Sequence, residues 1–188
     1  MLNLSITIIS FYILERLLEL VVSTSNKRIL KKDMELKILN PVESRQMKIF
    51  HGLWFCLLFL EAYMWGHLRE GFILYIIILI LVLAQILRWS AIFTLGKYWS
   101  VDVYEMKEHM IINKGPYVYL KHPNYLAVIL EFFFLPLLLG CPVILILGSL
   151  GNALILRRRI NMEERALNQQ SNDYGKKFMG KHAFIFLK

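Results

Sequence analysis

Apolar residues make up 57% of this 188-residue chain and charged residues 19%, whereas soluble domains average roughly 45–50% and about 25%. A domain of this length leaves about a third of its chain surface exposed, so such an excess cannot all enter one core; a soluble globular enzyme and a disordered tail are both excluded. The net charge of +8, from 22 Lys+Arg against 14 Asp+Glu, would suggest nucleic acid in a soluble protein, but in a membrane protein it asks which side holds the positive charge.

A membrane-spanning helix needs about 20 largely apolar residues, or somewhat fewer where the bilayer adapts. Five segments meet or approach this: 2–22, 48–66, 71–94, 124–139 and 142–156. The first carries Glu15, Arg16 and Glu19 late in its apolar run and has no small-residue cleavage site, so it reads as a retained helix rather than a signal peptide. The third is the clearest, with an unbroken apolar stretch from Phe72 to Ala84. The last two are joined by Gly140, Cys141 and Pro142, a turn signal that favours a helical hairpin over a single broken re-entrant element. Cys56 and Cys141 lie inside apolar runs and read as small buried hydrophobes, with no spacing for a disulfide or a zinc site.

All but Arg16, Arg69 and Arg88 of the basic residues fall in segment 23–48, segment 95–122 or the tail from Arg157 onward. Five crossings put these three on one side, which the positive-inside rule assigns to the cytoplasm. The expectation is an all-α membrane protein of about five transmembrane helices, with the N-terminus outside and the C-terminus cytoplasmic. Residues 1–84 supply the N-terminal helices. Residues 85–188 supply a core in which the hairpin 124–156 is flanked by cytoplasmic segments, the whole forming one integrated membrane domain. Within the helices, Glu61, Gln85, Arg88 and Glu131 join the three early ionisable residues, and intramembrane charges usually face a partner or a wet cavity. Arg88 either snorkels to the headgroups or pairs with Glu15 or Glu19 at similar depth.

Two cytoplasmic stretches carry the chemistry. In the first, His109 to Tyr125 (HMIINKGPYVYLKHPNY), Gly115-Pro116 signals a turn. Pro123 suits the first turn of the fourth helix, with His122 extended before it. The free N–H groups there can hold a carboxylate, although an ordinary loop before a proline-started helix reads the same way. In the second, Arg157 to Leu167 (RRRINMEERAL), continued helix puts Arg159 and Glu163 on one face; a topology-setting cluster with a surface ion pair is the plainer alternative.

From Gln85 to Leu167 the chain resembles the isoprenylcysteine carboxyl methyltransferase family of integral membrane enzymes. The matching pieces are LRW at 87–89, LGKYWS at 95–100, HMIINKGPYVYLKHPNYL at 109–126 and R-x-R-x-x-x-E-E-x-x-L at 157–167. The resemblance implies an S-adenosyl-L-methionine-dependent methyltransferase with a cytoplasm-facing pocket. It implies cofactor contacts from His109, Met110, Ile111, Ile112, Tyr117, His122, Pro123, Asn124, Tyr125 and Glu163, and a substrate-facing Arg159. Glu164, Arg88 and Tyr174 are further candidates. Phe178 stands where the family commonly has a second tyrosine, and the usual proline near the end is missing.

Methyl transfer is an in-line displacement at a carbon bonded to a sulfonium cation, so it needs aligned reactants more than acid–base chemistry. Arg159 could orient a carboxylate through two parallel hydrogen bonds. A hydroxyl or amine nucleophile would need a proton acceptor, for which His122 and Glu164 are candidates. The expected acceptor is a lipid or lipid-modified substrate bearing a carboxylate or hydroxyl: an isoprenoid, a prenylcysteine-like group or a polyketide, entering sideways from the bilayer. No nucleic acid or metal is expected, and the location is the cell membrane if the source is bacterial. The rival functions are phospholipid amine N-methylation, an NADPH-dependent membrane reductase (which the R-x-x-x-E-E element argues against), and a small transporter.

Overall fold

The computed structural model describes residues 2–33, 36–38, 40–106 and 112–170. They form five helices: α1 (Leu2–Asp33), α2 (Pro41–Met64), α3 (Gly71–Leu95), α4 (Pro123–Leu138) and α5 (Pro142–Gln170). Two three-residue strands, β1 (Leu36–Ile38) and β2 (Tyr104–Met106), complete the described elements together with short 3-10 turns at Gly96–Tyr98 and Gly115–Val118.

The helices at segments three to five start and stop within a residue or two of the apolar runs, except that α5 continues 14 residues past 156 as a polar helix. Segment 23–48 differs from a plain loop. No Gly or Pro interrupts 23–33, its lysines are good helix formers, and Lys31 and Lys32 sit in the last turn, where positive charge complements the helix dipole. α2 likewise begins early, because Pro41 occupies its first turn and the Asn40 side chain accepts from the Glu43 N–H at 3.2 Å, which is an N-cap. An apolar-run criterion cannot see such polar extensions. Between them, β1 pairs antiparallel with β2, Leu36 opposite Met106 and Ile38 opposite Tyr104.

The extension of α1 has a use. Asn26 Nδ2 donates to the carbonyls of Gly96 (3.0 Å) and Trp99 (2.9 Å), and Ser23 Oγ accepts from Val101 N–H at 3.0 Å. The polar face of α1 thus fixes the strand-like segment that follows α3.

α4 and α5 form a helical hairpin. Gly140 turns it at φ +67°, and a Cβ there would meet the His67 carbonyl oxygen at 2.5 Å, so only glycine fits. Glu61 of α2 caps the start of α5: its carboxylate accepts from the N–H groups of Val143 (2.9 Å) and Ile144 (2.8 Å). A charge that the sequence places inside an apolar helix is therefore an anion at a helix N-terminus. The core lies between α2, α3 and the hairpin around Trp54, Leu58, Ile77, Leu81, Phe132 and Leu135; the Trp54 and Phe132 rings stack at 4.1 Å.

Two stretches, Pro41–Met64 and Gly71–Tyr98, are long and apolar enough to cross a membrane. Only 28% and 22% of them is buried. Ile73, Leu79, Leu83, Ile86 and Phe93 of α3 point outward, as do Leu147, Leu150 and Leu154 of α5. A soluble protein would bury such helices, so this exterior is the kind that lipid covers.

Candidate active site

A cavity of about 510 Å³ opens at the end of the bundle that carries the basic residues, within the roughly 300–1,000 Å³ range of small-molecule sites. Its rim and one wall come from Ile112, Tyr117, Lys121, His122, Asn124, Tyr125, Arg159 and Glu163; its deep end from Arg16, Glu19, His51 and Arg88. Leu17, Phe55, Val128 and Leu156 line the apolar length between.

Local structure explains the rim. Gly115 takes φ +53°, and a Cβ there would reach the Thr94 hydroxyl at 2.5 Å, so the turn can sit directly on α3 only with glycine. Tyr117 follows in that turn, and His122, which takes φ −129° and ψ 63° rather than the extended conformation expected before a proline, leads into Pro123, the first residue of α4. α4 then presents Asn124 and Tyr125, while the polar extension of α5 presents Arg159 and Glu163 one turn apart. The two helices meet through hydrogen bonds. Arg159 Nε donates to the Tyr125 hydroxyl at 2.6 Å, and that hydroxyl donates to Glu163 Oε1 at 2.6 Å. Arg159 is buried, and its other nitrogens donate to the Val101 carbonyl (2.5 Å) and to Met47 Sδ (3.1 Å). The His122 ring stacks on Tyr125 at 5.3 Å, sets Nδ1 3.6 Å from Glu163 Oε2, and places Nε2 3.3 Å from Glu164 Oε1.

Charge follows from these contacts. The hydrogen bond from His122 holds the Glu164 carboxyl below its ordinary range, against the opposing effect of partial burial, with Lys121 assisting. Burial first, and Glu163 second, push the Tyr117 phenol up, so it stays a neutral donor. Burial raises Asp102, but Lys48 at 2.7 Å and Lys27 at 3.8 Å outweigh it and leave its carboxyl below the usual range.

The deep end is a buried ionic network. Arg88 Nε donates to Glu131 Oε1 at 3.0 Å, its Nη2 lies 2.5 Å from Glu131 Oε2, and its Nη1 donates to Glu19 at 3.2 Å. Arg16 bridges Glu19 (2.8 Å) and Glu131 (3.3 Å), and Gln85 donates to Glu131 at 2.8 Å. Arg88 is 1% exposed, so it pairs rather than snorkels. Its partner from α1 is Glu19; Glu15 accepts instead from Trp89 Nε1 at 2.7 Å.

Of the residues singled out in the sequence, the structure brings Ile112, Tyr117, His122, Asn124, Tyr125, Arg159 and Glu163 to the cavity, with Arg88 at its floor. Pro123 starts α4 from a fully buried position, and Glu164 touches His122 beside the cavity. His109, Met110, Ile111 and Tyr174 lie outside the described residues. Sequence reasoning missed His51 and Met47 of α2 and the Val101 carbonyl. The histidine alone left a signal, as a polar residue inside an apolar run.

Fold and site together define a class, a largely helical membrane protein whose mainly apolar cavity carries a cluster of polar side chains at its basic end. Residues 76–169 match the isoprenylcysteine carboxyl methyltransferase (ICMT) family. The chain is 34% identical over 166 residues to the uncharacterized protein YpbQ of Bacillus subtilis, covering 87% of this chain and 96% of that one. It is also 33% identical over 90 residues to an uncharacterized protein of Haemophilus influenzae, covering 47% of this chain and 52% of that one. The chain belongs to the ICMT family, a family of membrane methyltransferases.

The residues present fit the family's methyl donor. Among the described residues Asn124 Oδ1 is buried at the cavity with no hydrogen-bond partner, which is costly unless a ligand donor fills it. Glu163 and the tyrosine rings offer an acceptor for an ammonium or ribose hydroxyl and faces for a sulfonium cation.

Proposed function

We propose that the protein is an S-adenosyl-L-methionine-dependent methyltransferase that crosses the membrane five times, with its N-terminus outside and its site facing the cytoplasm. The acceptor is the carboxylate or hydroxyl of a lipid-like molecule. The observation that carries this is the cavity's construction: the family's motifs supply a polar wall, and apolar side chains such as Leu17, Phe55, Val128 and Leu156 supply much of the remaining lining. Leu17, Gly52 and Cys56 line the cavity and are also exposed between α1 and α2, a lateral opening through which a lipid can enter.

Tyr117, His122, Asn124, Tyr125 and Glu163 would hold the donor, which when bound supplies a methyl group on a sulfonium sulfur. Arg159 is held by Tyr125 and Val101 with little freedom left, so it presents a fixed positive charge to the acceptor. The apolar walls exclude water, which strengthens every charge interaction inside. The five crossings and their direction are supported by the exposed apolar faces and by the basic residues clustered at the cavity end.

Calorimetric titration of the purified protein with S-adenosylhomocysteine tests this directly. Saturable binding is expected, weakened at least tenfold (about 1.4 kcal/mol) by Glu163→Ala. No heat at millimolar ligand would sink the proposal.

A further inference from the structure

His51 takes no part in the polar chain from Arg159 to Glu163, yet it lines the same cavity. It stands on α2 one helical turn after Met47, with Nδ1 2.9 Å from the Met47 carbonyl oxygen. A carbonyl oxygen only accepts, so the ring proton of the neutral imidazole sits on Nδ1 and Nε2 carries the lone pair. Among the described residues no hydrogen bond to Nε2 is seen, and the residue is half-buried in the cavity lining. Phe132 packs edge-on against the ring at 5.1 Å and Phe50 at 6.1 Å, which fixes its direction. The sulfur of the same Met47 receives Arg159 Nη1 at 3.1 Å. One residue thus ties the histidine's tautomer to the guanidinium of the candidate site.

We propose that His51 is the proton acceptor of the reaction, and that the methyl acceptor is a hydroxyl on an apolar chain; this rests on the methyltransferase reading above. A carboxylate arrives already ionised and needs no base. An amine would arrive as an ammonium facing the guanidiniums of Arg16, Arg88 and Arg159. A hydroxyl is neutral, suits the apolar walls, and becomes a good nucleophile only as its proton leaves.

The step balances. The acceptor oxygen forms the O–C bond to the methyl carbon, the C–S bond of the sulfonium donor breaks with its electron pair left on sulfur, and the hydroxyl proton moves to His51 Nε2. One positive charge leaves sulfur and one appears on imidazolium, which loses its proton to solvent once the product leaves. The charged groups facing that imidazolium are Arg16 from α1, Glu131 of α4 with Arg88 of α3 bonded to it, and Arg159 from α5. The carboxyl group among them, that of Glu131, is already shared with Arg16 and Arg88, so little holds the proton on His51 and the ring returns to its neutral form.

The test uses the purified full chain and an alkyl-chain nitrophenol, whose absorbance reports ionisation of its hydroxyl without any methyl donor. The wild type is expected to bind the probe as nitrophenolate at a pH where the free probe is mostly protonated. His51→Asn, which keeps an N–H for the Met47 carbonyl, should lower the ionised fraction of bound probe at least tenfold. In the same variant, turnover of a hydroxyl acceptor should fall at least about 100-fold, and the acid limb of the pH–rate profile should vanish. S-adenosylhomocysteine affinity should stay within twofold, which certifies the fold of the variant. A bound probe that stays neutral in the wild type overturns the proposal, as does full turnover with an intact acid limb in His51→Asn. Absence of S-adenosylhomocysteine binding in the wild type would overturn the underlying methyltransferase reading and this proposal with it.

Discussion

The two halves of the molecule are unlike in how their sequence relates to the site. From α3 onward the chain carries recognisable motifs, and these build the rim of the cavity: His122 and Tyr125 on α4, Arg159 and Glu163 on α5. The helices α1 and α2 carry no motif, yet they supply Arg16, Glu19, Met47 and His51 and the exposed lining residues Leu17, Gly52 and Cys56. Motifs thus mark the wall expected to meet the common donor. The wall expected to meet the acceptor is written in packing, and a family match over residues 76–169 does not reach it.

The largest expected effect tests the bond between the halves. Arg88→Met leaves the buried Glu131 and Glu19 with Arg16 alone to share, and breaking a buried ion pair from one side costs about 3–5 kcal/mol. Thermal unfolding in detergent should show a large drop in midpoint, whereas Phe93→Ala, on the outward face of the same helix, should change stability by no more than about 0.5 kcal/mol. Equal effects would mean that the network does not join the halves.

A middle-sized effect separates the two walls. Gly52 has open space where a Cβ would stand, so Gly52→Phe should fold normally while narrowing the opening between α1 and α2. Acceptor KM should rise about tenfold with S-adenosylhomocysteine affinity unchanged. If donor affinity falls instead, the division between donor wall and acceptor wall is wrong.

The smallest effect concerns the polar anchor between the halves, where Asp102 takes Lys48 of α2 and Lys27 of α1. Its carboxyl is held below its ordinary value of 3.8, so the charged form contributes stability above that value and loses it as pH falls through the lowered folded value. Lys48 is partly exposed, which limits the contribution to about 1 kcal/mol or less. The midpoint difference between wild type and Asp102→Asn should hold steady at neutral pH and vanish in acid. A difference that persists in acid would show that the charge is not responsible.

Much of the fold was legible because apolar runs and prolines act locally. The start of α4 at Pro123, the hairpin turn at Gly140 and the shared face of Arg159 and Glu163 follow from neighbours within a few residues. The pairing of Arg88 with Glu19 was legible as one of two choices, because both lie at similar depth; Glu131 as its bidentate partner was not, since no local rule sets helix rotation. The β1–β2 pair joins segments far apart in the chain, and the polar ends of α1 and α2 are helical through capping and docking that hydropathy does not register. In the site, His51 escaped notice because its role depends on the cavity behind it.

The central claim is that this cavity moves a methyl group onto a lipid-like acceptor. The most direct measurement incubates the purified protein with methyl-tritiated S-adenosylmethionine and a lipid extract of its own membrane, then partitions the products. The account predicts label in the organic phase that is lost with Glu163→Ala. Label confined to the aqueous phase at saturating donor would contradict it.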